Sequence, residues 1–166
     1  MKEINPLDLN LNPFKLVGED WMLISAGNLV KSNCMTASWG GMGVLWNKNV
    51  AFIFIRPVRY TYQFVEKYDY FTLSFFCEED RKILQYCGKY SGREKDKAED
   101  MSLHVSMIED KSIMYKEAKM SILCKKIYFS DIDPNNFIDG SIDKNYPQKD
   151  YHRMYVGEIE RVLIKD

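Results

Sequence analysis

The hydrophobic and polar positions change period several times along the chain. Trp21-Met22-Leu23-Ile24-Ser25-Ala26-Gly27 is a short apolar run closed by Gly27-Asn28, the pattern of a strand ending in a turn. Residues 33 to 41, NCMTASWGG, continue as a second, less hydrophobic extended segment. From Val50 to Arg56 both alternating faces are apolar, with Val50, Phe52 and Phe54 set against Ala51, Ile53 and Ile55. That pattern predicts a central strand covered on both sides, ended by Pro57, which cannot donate to a ladder. Tyr60 to Tyr68 carries apolar and aromatic residues at helical spacing, and Tyr70 to Phe76 restores the period of two. Glu79 to Cys87 is helical again, with Ile83, Leu84 and Cys87 on one face and Gly88 placed as a C-terminal cap.

Ser91 to Asp100, SGREKDKAED, is so charged that it reads as a solvated loop with a surface helix. Strands are predicted at Lys119 to Asp131 and at His152 to Ile164, parted by the breaker Asp133-Pro134-Asn135-Asn136. Long strands with small helical inserts predict a mainly β protein, an antiparallel barrel with short helices at its rim. No repeat, low-complexity tract or long linker divides the chain, so residues 1–166 are read as one domain. Before it, Leu7, Leu9 and Leu11 alternate, which suggests a segment packed along the barrel or a partner.

Composition narrows the class. With 46% hydrophobic and 14% aromatic residues in 166, one substantial core is affordable. Lys+Arg 23 against Asp+Glu 24 leaves no electrostatic footprint for nucleic acid or an anionic membrane, so any anion site must be local. The longest strongly apolar run, Val50 to Ile55, is far short of the roughly 20 residues of a spanning helix. MKEINPLDLN carries acidic residues and a proline where a signal peptide has a basic end and an apolar stretch, so a cytoplasmic protein is expected. Cys34, Cys77, Cys87 and Cys124 form no Cys-x-x-Cys pair and read as buried free thiols, metal ligands or disulfides being the alternative. With only His104 and His152 beside them, no zinc site is expected.

Three stretches could carry chemistry. Arg56-Pro57-Val58-Arg59-Tyr60-Thr61 places two guanidinium groups and a hydroxyl directly before a predicted helix, where free backbone N–H groups and the helix dipole favour a phosphate. The plain alternative is two surface cations and a capping threonine. Ser91-Gly92-Arg93 offers a second nest of N–H donors, with Lys97 a helical turn or two further on, or is simply a charged loop. In NCMTASWGGMGVLW, residues 33 to 46, the small Thr36, Ala37 and Ser38 would let a flat ring lie against main-chain donors while Trp39 or Trp46 covers it. The alternative there is a glycine-rich bulge whose tryptophans belong to the core. His152, ahead of the last strand, is either structural or functional. The chain has no G-x-S-x-G, no P-loop and no G-x-G-x-x-G after a strand, so hydrolase and kinase readings have no support.

The order of WMLISAG, NCMTASWGGMGVLW, FIRPVRYTYQFVEKYDYFTLSFF, CGKYSGREKDK and HRMYVGEI resembles the flavin reductase-like proteins with an FMN-binding split β-barrel, which include flavoredoxins. The resemblance covers about Trp21 to Ile159. It implies a six-stranded antiparallel Greek-key split barrel that forms a homodimer, with one FMN per subunit near the interface. By motif position, Thr36, Ala37, Ser38 and Trp39 should line the ring and ribityl chain. Arg56, Arg59, Tyr60 and Thr61 should surround the phosphate, with Ser91, Gly92 and Lys97 closing that end. His152 matches a histidine near the flavin face where nicotinamide stacks, followed at the family spacing by Gly157-Glu158, and a cofactor that does its own redox chemistry accounts for the missing catalytic dyad.

The implied activity is transfer of reducing equivalents from NADH or NADPH through FMN, FAD being the other flavin, to a flavin or an electron-carrier protein. A flavoredoxin-type carrier that oxidises no nicotinamide, or a barrel that has lost its flavin, is the alternative. Of the two tryptophans, Trp39 is expected near the flavin and Trp46 in the core. One departure stands out, since many members of the family have a proline after the position of Trp46, where this chain has Asn47-Lys48-Asn49.

Overall fold

The computed structural model describes residues 1–165. Its strands are β1 (Lys2–Ile4), β2 (Met22–Gly27), β3 (Ser32–Ala37), β4 (Gly40–Leu45), β5 (Lys48–Ile55), β6 (Tyr70–Phe75), β7 (Val105–Ile108), β8 (Ser112–Tyr115), β9 (Met120–Asp131) and β10 (Arg153–Ile164). The helices are α1 (Tyr60–Lys67), α2 (Arg81–Lys89) and the single turn α3 (Lys97–Asp100). An antiparallel sheet runs in the order β3-β2-β6-β9-β10-β5-β4, with β1 also paired to β10, and β7 and β8 form a separate ribbon.

The fold is mainly β with short helices, but the six-strand count is corrected: the main sheet has eight strands and does not close. Its ends are β3 and β4, which follow each other in the chain through Ser38 and Trp39 with no ladder between them. The chain crosses there from one end of the sheet to the other. Gly40 makes the crossing possible, because a Cβ on it would lie 2.7 Å from the Phe52 carbonyl oxygen.

β5 is also corrected. It lies one strand from the sheet's end, and its faces are covered unequally: Ala51, Ile53 and Ile55 are buried on one, whereas on the other Val50 is buried and Phe52 and Phe54 are partly exposed. A strand apolar on both faces need not be central; here its second face is covered only in part. Trp46 is not in the core either. It and Asn47 have φ of 52° and 58°, the two left-handed positions of a tight hairpin turn between Leu45 and Lys48. No proline is needed at that turn, and Trp46, 56% exposed, lies edge-on to Tyr128.

β2 is buried at every position because both its faces are covered. Met22, Ile24 and Ala26 join the main core with Ile53, Phe71 and Tyr155. Leu23 faces a second core, where Ile83, Leu84 and Cys87 of α2 meet Ile113 and Tyr115 of β8. The helical face expected from Ile83, Leu84 and Cys87 is thus the buried one. Gly88, however, is inside α2 and the helix ends at Tyr90. The glycine instead allows close packing, since a Cβ there would come within 3.3 Å of Thr36 Cβ.

Gly157 has the same task in β10. The register against β9 shifts between Val156 and Gly157, and a Cβ on the glycine would meet Phe71 Cζ at 2.4 Å. At the N-terminal end, Leu9 packs on the main core beneath the β1 to β10 pairing, while Leu7 is exposed.

Candidate flavin site

The sheet's open seam is the place to look, because β3 presents unpaired backbone there and α1 and α2 both pack on it. The N-terminus of α1 is the first component. Arg59 is extended at φ −72° and ψ 134°, and no side chain among the described residues caps the first turn. Tyr60 and Thr61, whose N–H groups at the helix start have no intrahelical partner, border a cavity of about 180 Å3 together with Arg59, Ser91, Gly92 and Arg93.

Asn33 organises this cavity. Its Nδ2 donates to the Thr61 hydroxyl oxygen at 2.8 Å, leaving the hydroxyl proton free to donate onward. Gly92 lies so close that a Cβ on it would fall 1.9 Å from Asn33 Oδ1. Nothing larger than glycine fits against that amide. The Arg93 guanidinium lies 4.9 Å from the centre of the Tyr60 ring, and its Nη1 donates to the Val58 carbonyl at 3.2 Å.

A second cavity, about 370 Å3, adjoins the first and is bordered by Trp21, Thr36, Ser38, Leu84, Gln85 and Gly88. Arg59 is the residue common to both cavities of this candidate cleft. The guanidinium donates to the Gly88 carbonyl at 3.3 Å, and burial, followed by the nearby Arg56, pushes its pKa down. A guanidinium remains charged at neutral pH even so. The Thr36 hydroxyl is already committed, donating to the Leu84 carbonyl at 2.5 Å, and Ala37 is buried in the main core.

Three of the expected site residues are engaged elsewhere. Arg56 pairs with Asp150 at 2.8 Å, donates to the Asn145 carbonyl at 2.8 Å, and lies over the Tyr146 ring. It holds the 140–150 segment and does not border the cleft. Lys97 borders the smaller cavity, but its ammonium turns inward to the carbonyls of Cys34 and Cys87. His152 is buried, its Nδ1 2.8 Å from the Tyr146 hydroxyl, with Trp39 against it at a ring separation of 5.2 Å. Burial, and then the positive charge of Arg56, lower its pKa to about 4, so the imidazole is neutral.

Arg93, which the sequence offers in the Ser91-Gly92-Arg93 nest, borders the smaller cavity, and Asn33 and Trp21 border the cleft without having been given a role from sequence. Asn33 had a signal: it shares a strand face with Met35 and Ala37, and a buried amide in an apolar series needs a polar partner. Trp21 had none, since nothing in its local pattern says what it faces.

A buried cation, uncapped helix N–H groups and a hydroxyl at one end of a flat-sided cleft suit a phosphate-bearing aromatic ligand. Solved structures with the same fold include flavoredoxin of Desulfovibrio vulgaris (Miyazaki F), 21% identical with a TM-score of 0.70, covering 100% of this chain and 78% of that one. An FMN-binding protein from Thermus thermophilus is 17% identical with a TM-score of 0.68, over 99% of this chain and 78% of its own. The NADH:FAD oxidoreductase SgcE6 of Streptomyces globisporus C-1027 is 13% identical with a TM-score of 0.65, over 88% and 75%. Among curated proteins none matches. The family model described as flavin reductase like domain matches residues 19–166, and the chain belongs to that family.

Proposed function

We propose that this protein is an FMN-binding oxidoreductase that passes reducing equivalents from NAD(P)H, through the flavin, to a flavin or protein acceptor. The observation that carries the reading is the uncapped start of α1 with Arg59 and Thr61 beside it, bordering one cavity suited to a phosphate, with a second, larger cavity that shares Arg59 available for a ring. Arg59, Thr61, the backbone N–H groups of α1 and the Ser91-Gly92-Arg93 turn would hold the phosphate. Thr36 and Ser38 would border the ring, with Gly88 keeping α2 close behind them. Bound flavin supplies the hydride and electron chemistry, and the chain's own groups bind and orient it.

One observation favours a second reading, an electron carrier that does not itself oxidise nicotinamide. His152, matched to the nicotinamide side of the flavin, is buried, bonded to Tyr146 and covered by Trp39. A flavoredoxin and an NADH:FAD oxidoreductase are both among the proteins of the same fold and support the two readings equally.

The partly exposed Phe52 and Phe54, with the exposed Tyr128 on the same face and Trp46 edge-on to it, support a homodimer closed through that face of β5 and β9. Sedimentation velocity tests it, a monomer at micromolar concentration counting against that face. The function is tested in two steps. Purified protein should be yellow, or should quench added FMN; a colourless protein that leaves FMN fluorescence untouched overturns the flavoprotein reading. Anaerobic NADH or NADPH then bleaches the flavin of a reductase within seconds and leaves that of a carrier oxidised.

A further inference from the structure

The second core contains a pair of thiols that the flavin reading does not use. Cys34 on β3 and Cys87 on α2 lie with their sulfurs 3.7 Å apart, both buried. Directly above them is the Lys97 ammonium, 5% exposed, donating to the Cys34 carbonyl at 2.7 Å and to the Cys87 carbonyl at 3.0 Å. An ammonium has three donors, and among the described residues no carboxylate pairs with this one. A buried lysine without a counter-ion is costly unless something nearby becomes negative. The groups near it able to do so are the two thiols.

Access distinguishes the two sulfurs. A cavity of about 480 Å3, which shares Asn33, Tyr60, Gly92, Arg93 and Lys97 with the smaller cavity at the start of α1, is also bordered by Cys34, Tyr115, Val105 and Asp96. Cys87 does not border it. The Cys34 thiol is held below its ordinary pKa by the hydrogen bond with Cys87 and by the Lys97 charge, against the opposing effect of burial, whereas that of Cys87 is pushed up. The reachable sulfur is also the more acidic one.

We propose that Cys34 and Cys87 form a redox-active dithiol, with Cys34 the attacking and Cys87 the resolving thiol, and that a small disulfide entering the adjoining cavity oxidises it. In the first step Cys34 gives up its proton, and the thiolate, held beside Lys97, attacks one sulfur of the small disulfide. The S–S bond breaks, its second sulfur leaves as a thiolate that takes up the proton, and a mixed disulfide remains on Cys34. Cys87 then attacks the Cys34 sulfur and expels the second small thiol, which takes the Cys87 proton. Two protein thiols have lost two electrons and two protons, and the small disulfide has become two thiols.

Closing the bond brings the sulfurs from 3.7 Å to about 2.05 Å, drawing α2 and β3 together. Thr36 and Gly88 are each within two residues of the pair, and the space between them is too tight for even a Cβ on Gly88 to sit without crowding Thr36. The dithiol therefore adjusts the wall that the cleft shares with the second core; this last consequence, unlike the dithiol itself, rests on the proposed flavin reading.

The test uses the full chain, reduced, desalted without air and exposed to oxidised glutathione at neutral pH. Residual thiols are then alkylated and the intact mass and peptides measured. The expected product has lost two hydrogens, has Cys34 and Cys87 peptides joined, keeps Cys124 reduced, and returns to dithiol with dithiothreitol. C87S should stop at glutathione on Cys34, and C34S should leave Cys87 unmodified. Lys97 acts here as a positioning residue: K97M should slow the first step about ten-fold at neutral pH, with the rate recovered at high pH where the thiol ionises unaided. Wild-type protein that takes glutathione only at Cys77, or keeps Cys34 and Cys87 free, overturns the proposal. FMN quenching by the reduced protein is read in parallel. Normal quenching without the Cys34–Cys87 bond sinks the dithiol alone, and the bond without quenching sinks the flavin reading alone.

Discussion

Asn33 and Thr61 are joined by a 2.8 Å hydrogen bond that ties β3 to the first turn of α1 and turns the Thr61 hydroxyl toward the cleft. Gly92 closes over the same amide with no room for a side chain. Replacing Gly92 with Ala must therefore displace Asn33. The expected result is FMN affinity lowered by roughly five- to a hundred-and-fifty-fold, for about 1–3 kcal/mol of lost buried hydrogen bonding. Fluorescence quenching titration measures it, and Asn33→Ala should behave alike. Unchanged affinity in both would show that this corner does not touch the ligand.

The two arginines separate cleanly. Arg59 faces the cleft and Arg56 the 140–150 segment. Arg59→Ala should weaken FMN binding by roughly ten- to a hundred-fold, from about 1.5–3 kcal/mol per charged hydrogen bond. Arg56→Ala should leave affinity within a few-fold and instead increase proteolysis near Asn145 and Asp150. The opposite ranking would put the phosphate beside Arg56.

His152 gives stability a pH dependence whose sign follows from its lowered pKa. The folded state holds it neutral down to about 4, whereas the unfolded chain takes up a proton near 6.5. Its contribution is complete above pH 6.5 and is lost as the pH falls toward 4. Urea unfolding of His152→Gln should accordingly show a flatter decline over that interval than the wild type. Parallel curves would mean that His152 titrates normally in the folded protein.

Gly157→Ala tests the packing of β10. The new methyl would overlap Phe71 Cζ and lie 2.8 Å from Cys124 Cβ, both of them buried. Overpacking of this kind costs about 1–3 kcal/mol, so the melting temperature should fall by several degrees. A wild-type melting curve would show that β10 shifts freely at the bulge.

Much of this protein is legible along the chain, because strand and helix period, Pro57 and the breaker at Asp133-Pro134 act locally. β2, β5, α1, β6, α2, β9 and β10 all fall within a few residues of their predicted spans. Of the residues named from motif position, Arg59, Thr61, Ser91 and Gly92 border one cavity and Thr36 and Ser38 border another that Arg59 shares. What local pattern could not convey is the direction a side chain takes once distant elements meet. Arg56 and Arg59 are three residues apart in one motif, yet Asp150 draws the first away. Trp46 is as hydrophobic as any core residue, but the hairpin turn holds it outside. Lys97 belongs to the most charged stretch in the chain and is nevertheless buried, because two carbonyls from β3 and α2 converge there. Sequence dictates which residues are available within each element. Which of them share a cavity depends on contacts between residues up to a hundred positions apart, and those exist only after the sheet has formed.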